Sequence, residues 1–213
     1  MKRNFKFLAV ALLGLTIASC NTNNETTANE ATVEKCVYSY DNTSSKVGFT
    51  AYKFLSKAGV GGAFNEINVT NANEDEDAIH VIEGLNFEIP IASLNTKDAG
   101  RDENISKFFF ATINTDKILG KVIALNPNGE AILEITLNGI TNKVVGQYTF
   151  EEDVNFHFNA EIDVNEWNAE KGLTALNTQC KELHTDHANG DKESKLWSEV
   201  AIAFSTTLKK ECK

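Results

Sequence analysis

Apolar and polar residues alternate along most of the chain from Cys36 onward, and this pattern restricts the fold more than any other feature of the sequence. In the longest example, Val154–Val164, every second residue is Val, Phe, Ala or Ile, and the residues between are Asn, His or acidic. Successive side chains of a β-strand point to opposite faces, so the segment is typical of a strand with one buried face. The same pattern predicts further strands at 47–51, 85–91, 121–125, 131–137, 143–150 and 200–204.

Turn sequences separate several of these predicted strands. Asn126–Gly129 and Asn138–Gly139 are typical of hairpin turns, and the acidic run Asn71–Asp77 is typical of a solvated loop. The glycines of Gly59–Gly62 are interpreted as allowing a tight turn.

Helical patterns are weak and few. They cover only Asp102–Phe110 and Leu176–Leu183, so no predicted helical layer is available to cover the apolar face of the sheet. Such a face must be buried by closure into a barrel or by packing as a sandwich. The lack of long helices favours the barrel.

The first twenty residues resemble the signal peptide of a bacterial lipoprotein. Lys2, Arg3 and Lys6 precede the uncharged stretch 7–19, which is too short to span a membrane, and the segment 17–20 (IASC) resembles a lipobox. The resemblance implies cleavage before Cys20, lipidation of Cys20 and export to the cell envelope, with a modest preference for the outer membrane. Residues 1–19 are thus expected to be the signal peptide, 20–35 the lipidated cysteine with a flexible tether, and 36–213 the folded domain.

Charge and cysteine content narrow the possible partners and pairings. Removing residues 1–19 changes the formal charge from −10 to −13, which disfavours binding to nucleic acid or to anionic headgroups through a basic patch. With Cys20 lipidated, three thiols remain in an oxidising compartment. A disulfide between Cys36 and Cys212 is favoured, because these residues flank the first and last predicted strands and would meet at a barrel seam. Pairing of Cys180 with either one stays open.

Short motifs along the strands resemble the YceI-like family of lipocalin-like, polyisoprenoid-binding proteins. The resemblance runs from Tyr38 to Leu208 and rests on four pieces in order, which are 45–51 (SKVGFTA), 91–96 (IASLNT), 101–110 (RDENISKFFF) and 135–141 (ITLNGIT). The sequence departs from the family where Lys53 and Asn138 replace common histidines and where 162–168 (IDVNEWN) lacks an arginine and a glycine. Lys171–Lys195 is interpreted as a local elaboration.

The resemblance implies an all-β, lipocalin-like antiparallel barrel of eight strands with one or two short helices. It also implies that the lumen holds a long-chain isoprenoid or a similar amphiphilic lipid, in a non-catalytic binding, sequestering or transporting protein that needs no cofactor. Alternation and the predicted strand ends supply the candidate lumen residues, which are Phe49, Phe54, Phe64, Leu85, Phe87, Ile89, Phe108, Phe110, Ile135, Leu137, Phe156, Phe158, Trp167 and Phe204.

No constellation of residues predicts catalysis. The spacing of His184 and His187 is a weak metal signal and is not assigned to a metal site. Arg101 is interpreted as a structural partner of Asp102, with contact to a ligand phosphate as the alternative. The alternative function is an envelope scaffold that binds a partner protein through the loops 71–77 or 171–195.

Overall fold

The computed structural model describes residues 34–213. The β-strands are β1 (Cys36–Ser39), β2 (Lys46–Lys53), β3 (Ala58–Phe64), β4 (Asn68–Thr70), β5 (Asn86–Pro90), β6 (Leu94–Asn95), β7 (Lys117–Leu125), β8 (Glu130–Leu137), β9 (Ile140–Glu151), β10 (Asn155–Asp163), β11 (Leu196–Thr207) and β12 (Lys209–Cys212). The α-helices are α1 (Ala78–Ile82), α2 (Ala99–Asn104) and α3 (Glu170–Gln179). A π-helix spans Ile105–Phe110, and 3-10 turns span Asn42–Ser44, Ile91–Ser93, Val164–Trp167, Lys181–His184 and His187–Asn189. The predicted signal peptide, the lipidation at Cys20 and most of the predicted tether lie outside the described residues.

Ten of the strands form one antiparallel sheet in the order β4-β5-β7-β8-β9-β10-β11-β2-β3-β6. The first and last long strands are neighbours, with Phe49 of β2 opposite Ile202 of β11. The alternation seen in the sequence appears as alternating burial, and β8 buries every second residue from Ala131 to Leu137. The apolar face therefore points inward along the whole sheet.

The sheet closes into a barrel because the strands at one end of its order, β4 and β5, are continuations of the strands at the other end, β3 and β6. β3 continues through residues 65–67 into β4, and β5 continues through Ile91–Ser93 into β6. β3 pairs with β6 and β4 pairs with β5, and the Asn65 amide donates a hydrogen bond to the Ser93 carbonyl (2.9 Å) between the two pairs. The ten segments therefore correspond to eight barrel strands, and the predicted fold class is confirmed.

One end of the barrel is closed by α1 and by the ribbon of β1 and β12. Val81 and Ile82 of α1 are almost completely buried, at 1% and 0% exposure. Tyr38 of β1 pairs with Asp75 in the loop before α1, so the ribbon packs beside the same end. The sequence did not predict α1.

A disulfide joins Cys36 to Cys212, which lie directly opposite each other in the ribbon. The seam of the barrel itself is formed by β2 and β11, and the disulfide ribbon is a separate two-stranded sheet. The separation arises because the 3-10 turn Asn42–Ser44 interrupts the chain, with Ser44 Oγ bonded to the Thr207 carbonyl. The thiol of Cys180 is free and buried.

Helical segments surround the other end. α2 runs directly into the π-helix, and α3 packs against that π-helix, with Gly172 of α3 close to Phe109. The two predicted helices are found, but each begins earlier than predicted. Among residues 34–213, no helix has the length and apolar character needed to cross a membrane.

The glycines of Gly59–Gly62 do not form the predicted tight turn. They lie within β3, where Gly62 is opposite Phe49 and Gly61 is opposite Thr50. The pattern was misleading because glycines are expected at turns, whereas here Gly62 makes room for an aromatic ring of the neighbouring strand.

Candidate functional site

The barrel encloses an inner chamber of about 130 Å³. All of its wall is apolar or glycine, and no polar or charged side chain lines it. Its floor is Ile82 of α1 and Leu85. The remaining lining residues are Val47, Gly48, Phe49, Phe64, Ile67, Val69, Phe87, Ile89, Ile118, Val122, Leu133, Ile135, Leu137, Phe156, Phe158, Ile162, Trp167, Ile202, Ala203 and Phe204. A space of this kind suits hydrocarbon, because nothing in the wall can satisfy a polar group.

A wider outer chamber of about 410 Å³ lies at the helical end. The two chambers have six wall residues in common, which are Phe49, Phe64, Ile118, Leu137, Ile162 and Ile202. The outer wall adds side chains of α3 and its following 3-10 turn, among them Leu176 and Leu183. Leu183 is 63% exposed, so this wall reaches the protein surface. The chambers together run from the closed end of the barrel to its helical rim.

Three phenylalanines of the barrel wall lie over glycines of neighbouring strands. A Cβ atom added at Gly62 would be 2.3 Å from Cζ of Phe49, and one at Gly120 would be 2.0 Å from Cζ of Phe87. A Cβ at Gly146 would lie 2.4 Å from Cε2 of Phe158. The missing side chains let the rings lie close against the sheet, so the space in front of them stays open.

Polar and charged side chains occur only on the outer chamber's wall. Lys53 ends β2, on the same face as Val47, Phe49 and Ala51, and its ammonium donates to the Leu183 carbonyl (2.9 Å). Partial burial lowers the pKa of Lys53, and the positive charge of Arg101 lowers it further. The two cations are therefore close enough to repel each other.

Arg101 is held by the start of α2. Asp98 caps this helix by accepting from the Arg101 amide (3.0 Å), and its other carboxylate oxygen is 3.6 Å from Nη2 of Arg101. The predicted pairing of Arg101 with Asp102 is not formed. Asp102 instead accepts from the amide and the hydroxyl of Thr96 (2.8 and 2.6 Å), and this fixes the loop between β6 and α2.

His184 also lines the outer chamber. Burial, and secondarily the charge of Lys53, lowers its pKa to about 4, so the ring is neutral at pH 7. Its Nδ1 atom lies 3.0 Å from Oδ1 of Asn177, whose amide nitrogen donates to Oγ of Ser194 (3.1 Å). This network assigns the proton to Nδ1 of His184. Burial raises the pKa of the Cys180 thiol, which leaves it protonated and weakly reactive.

The structure places most predicted lumen residues on a chamber wall and leaves two outside. Phe54 lies in the turn after β2 with φ of 65°, beneath the ammonium of Lys53 (4.4 Å to the ring centroid). Phe108 is only half-buried, whereas Phe109 and Phe110 line the outer chamber. The π-helix determines which of these three consecutive rings face the chamber.

The sequence pointed to part of the polar wall, since contact of Arg101 with a ligand phosphate was the alternative interpretation and Lys53 was one of the departures from the family pattern. Lys53 follows three inward residues at a spacing of two, so the alternation itself places its side chain on the inner face. That signal was available. The contribution of His184 was not available, because it depends on how residues 170–195 fold over the barrel end.

Within residues 34–213, no group of three or more His, Cys, Asp or Glu side chains converges to hold a metal ion. Nε2 of His187 contacts Glu182 (3.0 Å), whereas Nδ1 of His184 contacts Asn177 (3.0 Å), so the two imidazoles have different partners. Among the described residues, no histidine ring is hydrogen-bonded to a serine or threonine hydroxyl or to a thiol. Cys180 and His184 both line the chamber, but the thiol is protonated and the imidazole is a weak base.

Comparison with known proteins agrees with this architecture. The family model of the YceI-like domain matches residues 38–208. A polyisoprenoid binding domain from Saccharophagus degradans implicated in plant cell wall breakdown has a similar structure, with a TM-score of 0.57 and 13% identity over 81% of this chain and 97% of that one. Burkholderia cenocepacia BcnA is similar with a TM-score of 0.51 and 16% identity over 81% of this chain and 99% of that one. No curated protein matches the sequence. Because the sequence identities are only 13% and 16%, these structural similarities support the fold alone.

Proposed function

The chain belongs to the YceI-like family, and from this premise we propose that it binds a long-chain isoprenoid or a similar amphiphilic lipid inside the barrel, without catalysis. The observation that carries the proposal is the wholly apolar wall of the inner chamber, which continues into an outer chamber with polar groups at its rim. Burial of a hydrocarbon tail gains about 25 cal/mol per Å² and needs no polar partner. The similar domain from Saccharophagus degradans is itself described as polyisoprenoid-binding.

The alternative, a scaffold that binds a partner protein through loops, is less well supported. Much of the segment 171–195 is not a free loop, since Leu173, Leu176 and Cys180 form part of the outer chamber's wall. The segment is therefore part of the lipid site that we propose.

We further propose that the protein is exported and anchored by lipid on Cys20, and that it sequesters or transports its ligand in the cell envelope. The support is the sequence of the first twenty residues, which resembles a lipoprotein signal. Mass spectrometry of the N-terminal peptide is expected to find diacylglycerol on Cys20 and an acylated amine. An N-terminal peptide that retains Met1 would exclude this anchor.

The lipid-binding proposal is tested by lipid extraction from protein purified from its own host, followed by mass spectrometry. Leu133→Trp places a large ring in the inner chamber, whereas Ile132→Trp places the same ring on the outer face of the same strand. We expect a co-purifying lipid with the parent protein and with Ile132→Trp, and its loss with Leu133→Trp. Lipid retained equally by both folded variants would place it outside the barrel and overturn the proposal.

A further inference from the structure

Lys53 lies on the inner face of the barrel where the apolar wall ends. Its side chain is part of the outer chamber's wall, and one of its three N–H donors is used by the Leu183 carbonyl. No carboxylate of residues 34–213 forms an ion pair with it. A half-buried ammonium normally has such a partner, because removal from water is costly for a charge.

The guanidinium of Arg101 lies on the same wall and is only loosely held. Its nearest carboxylate oxygen, on Asp98, is 3.6 Å from Nη2, and its side chain donates no hydrogen bond to any residue of the described domain. The planar donors of an arginine suit carboxylate and phosphate oxygens. Two cations thus face one chamber with a single carboxylate on its wall, although the whole chain carries a net charge of −10.

We propose that Lys53 and Arg101 bind the anionic headgroup, a phosphate or a carboxylate, of the amphiphile whose tail fills the inner chamber. This inference rests on the lipid-binding function proposed above and names the class of its ligand. Asp186 is near enough to attract the Lys53 ammonium but forms no ion pair with it, so the headgroup would supply the direct partner that Lys53 lacks and would relieve its repulsion from Arg101. The partial burial that lowers the pKa of Lys53 also strengthens its attraction to a bound anion.

The test compares two probes that share one isoprenoid tail, geranylgeranyl phosphate and geranylgeraniol, on delipidated full-length protein. Lys53→Gln and Arg101→Gln remove one charge each, and Lys107→Gln is the matched control, because Lys107 is exposed and lines neither chamber. Affinities are measured by displacement of a fluorescent lipid.

We expect the parent protein to bind the phosphate more tightly than the alcohol. Lys53→Gln should weaken phosphate binding about tenfold, the double variant with Arg101→Gln should weaken it about a hundredfold, and alcohol binding should stay within about twofold. Lys107→Gln should change neither. The preference of the parent for phosphate should fall as salt is added, whereas that of the double variant should not.

Three results would overturn the proposal. Equal binding of both probes by the parent would mean that the charges do not bind the headgroup, and equal weakening of both probes by Lys53→Gln would mean a structural role. Displacement of the bound probe by inorganic phosphate at similar concentration would indicate a site for free anions. Each is distinguishable from failure of lipid binding itself, in which neither probe binds and Leu133→Trp has no effect.

Discussion

The pairing of Gly120 with Phe87 leads to a prediction about how the lumen is kept open. A Cβ atom at Gly120 would lie 2.0, 2.4 and 2.7 Å from three atoms of the Phe87 ring, whereas carbon atoms in contact are separated by about 3.5–4.0 Å. In Gly120→Ala the ring must therefore move by about 1.5 Å or more. Because Phe87 lines the inner chamber, we expect the displaced ring to move into the lumen.

The expected effect is a loss of ligand affinity with little loss of fold stability. A ring that enters a chamber of about 130 Å³ displaces two or three methylene groups of a bound tail. At ~0.8 kcal/mol for each methylene, this weakens binding by about 2 kcal/mol, or roughly thirtyfold. The free energy of unfolding should change by less than about 1 kcal/mol, because strain is relieved into empty space and alanine is favoured over glycine in a strand.

The assay combines titration with a fluorescent lipid and urea unfolding of the same samples. Gly61→Ala is the matched control, since its Cβ would meet only the Phe49 carbonyl at 3.9 Å, an ordinary contact. Phe87→Leu combined with Gly120→Ala should restore binding, because the smaller side chain clears the added methyl group. The reasoning is refuted if folded Gly120→Ala binds as tightly as the parent, or if Gly61→Ala weakens binding equally.

Two further predictions concern stability. Replacing Cys36 and Cys212 with serine should lower the free energy of unfolding by about 3–5 kcal/mol, because the disulfide closes a loop across a sequence separation of 176. Lipid affinity should stay unchanged under conditions in which both proteins are fully folded. Urea unfolding with and without reductant measures the change in stability, and an unchanged midpoint would contradict the prediction. The ring of His184 is neutral in the fold down to about pH 4 but titrates near 6.5 when unfolded, so folding stability should be unaffected above pH 6.5 and should fall as pH drops from 6.5 to 4. With the ring partly exposed, the loss is about 2 kcal/mol. His184→Asn, which can still donate to Asn177, should lack this part of the acid dependence in urea unfolding at pH 7 and pH 4.5, and identical pH profiles of the two proteins would contradict it.

The fold could be predicted from the sequence wherever one face of a strand is buried and the other is solvated. The predicted strand Val154–Val164 agrees with the observed Asn155–Asp163 within one residue at each end. β3 was missed because its glycines have no side chain to show an alternation. α1 was missed because its five residues are stabilised by burial in the barrel end, where Val81 and Ile82 pack, rather than by helix propensity.

The site was predictable where it is apolar and less so where it is polar. Alternation alone places Phe87, Phe156 and Phe204 on the inner wall. It could not distinguish Phe108 from Phe109, because the π-helix changes the angular spacing of side chains along this segment. The neutral state of His184 likewise depends on burial by chain that is distant in the sequence.

A closed barrel is a continuous ring, or hoop, of paired strands, and it opens most easily at the pair with the fewest backbone hydrogen bonds. Most neighbouring strands are joined by long uninterrupted ladders, such as that of β10 with β11 from Asn155 to Asp163. The join between β3–β4 and β5–β6 is interrupted, with only Ala63 and Phe64 paired on one side of the gap and residues 68–70 on the other. Backbone fluctuations should therefore widen the hoop first at this join, beside Phe64 and Val69, which both line the inner chamber. We therefore expect the circumference of the lumen to vary most at this join, so that tails of different thickness are admitted without breaking the long ladders.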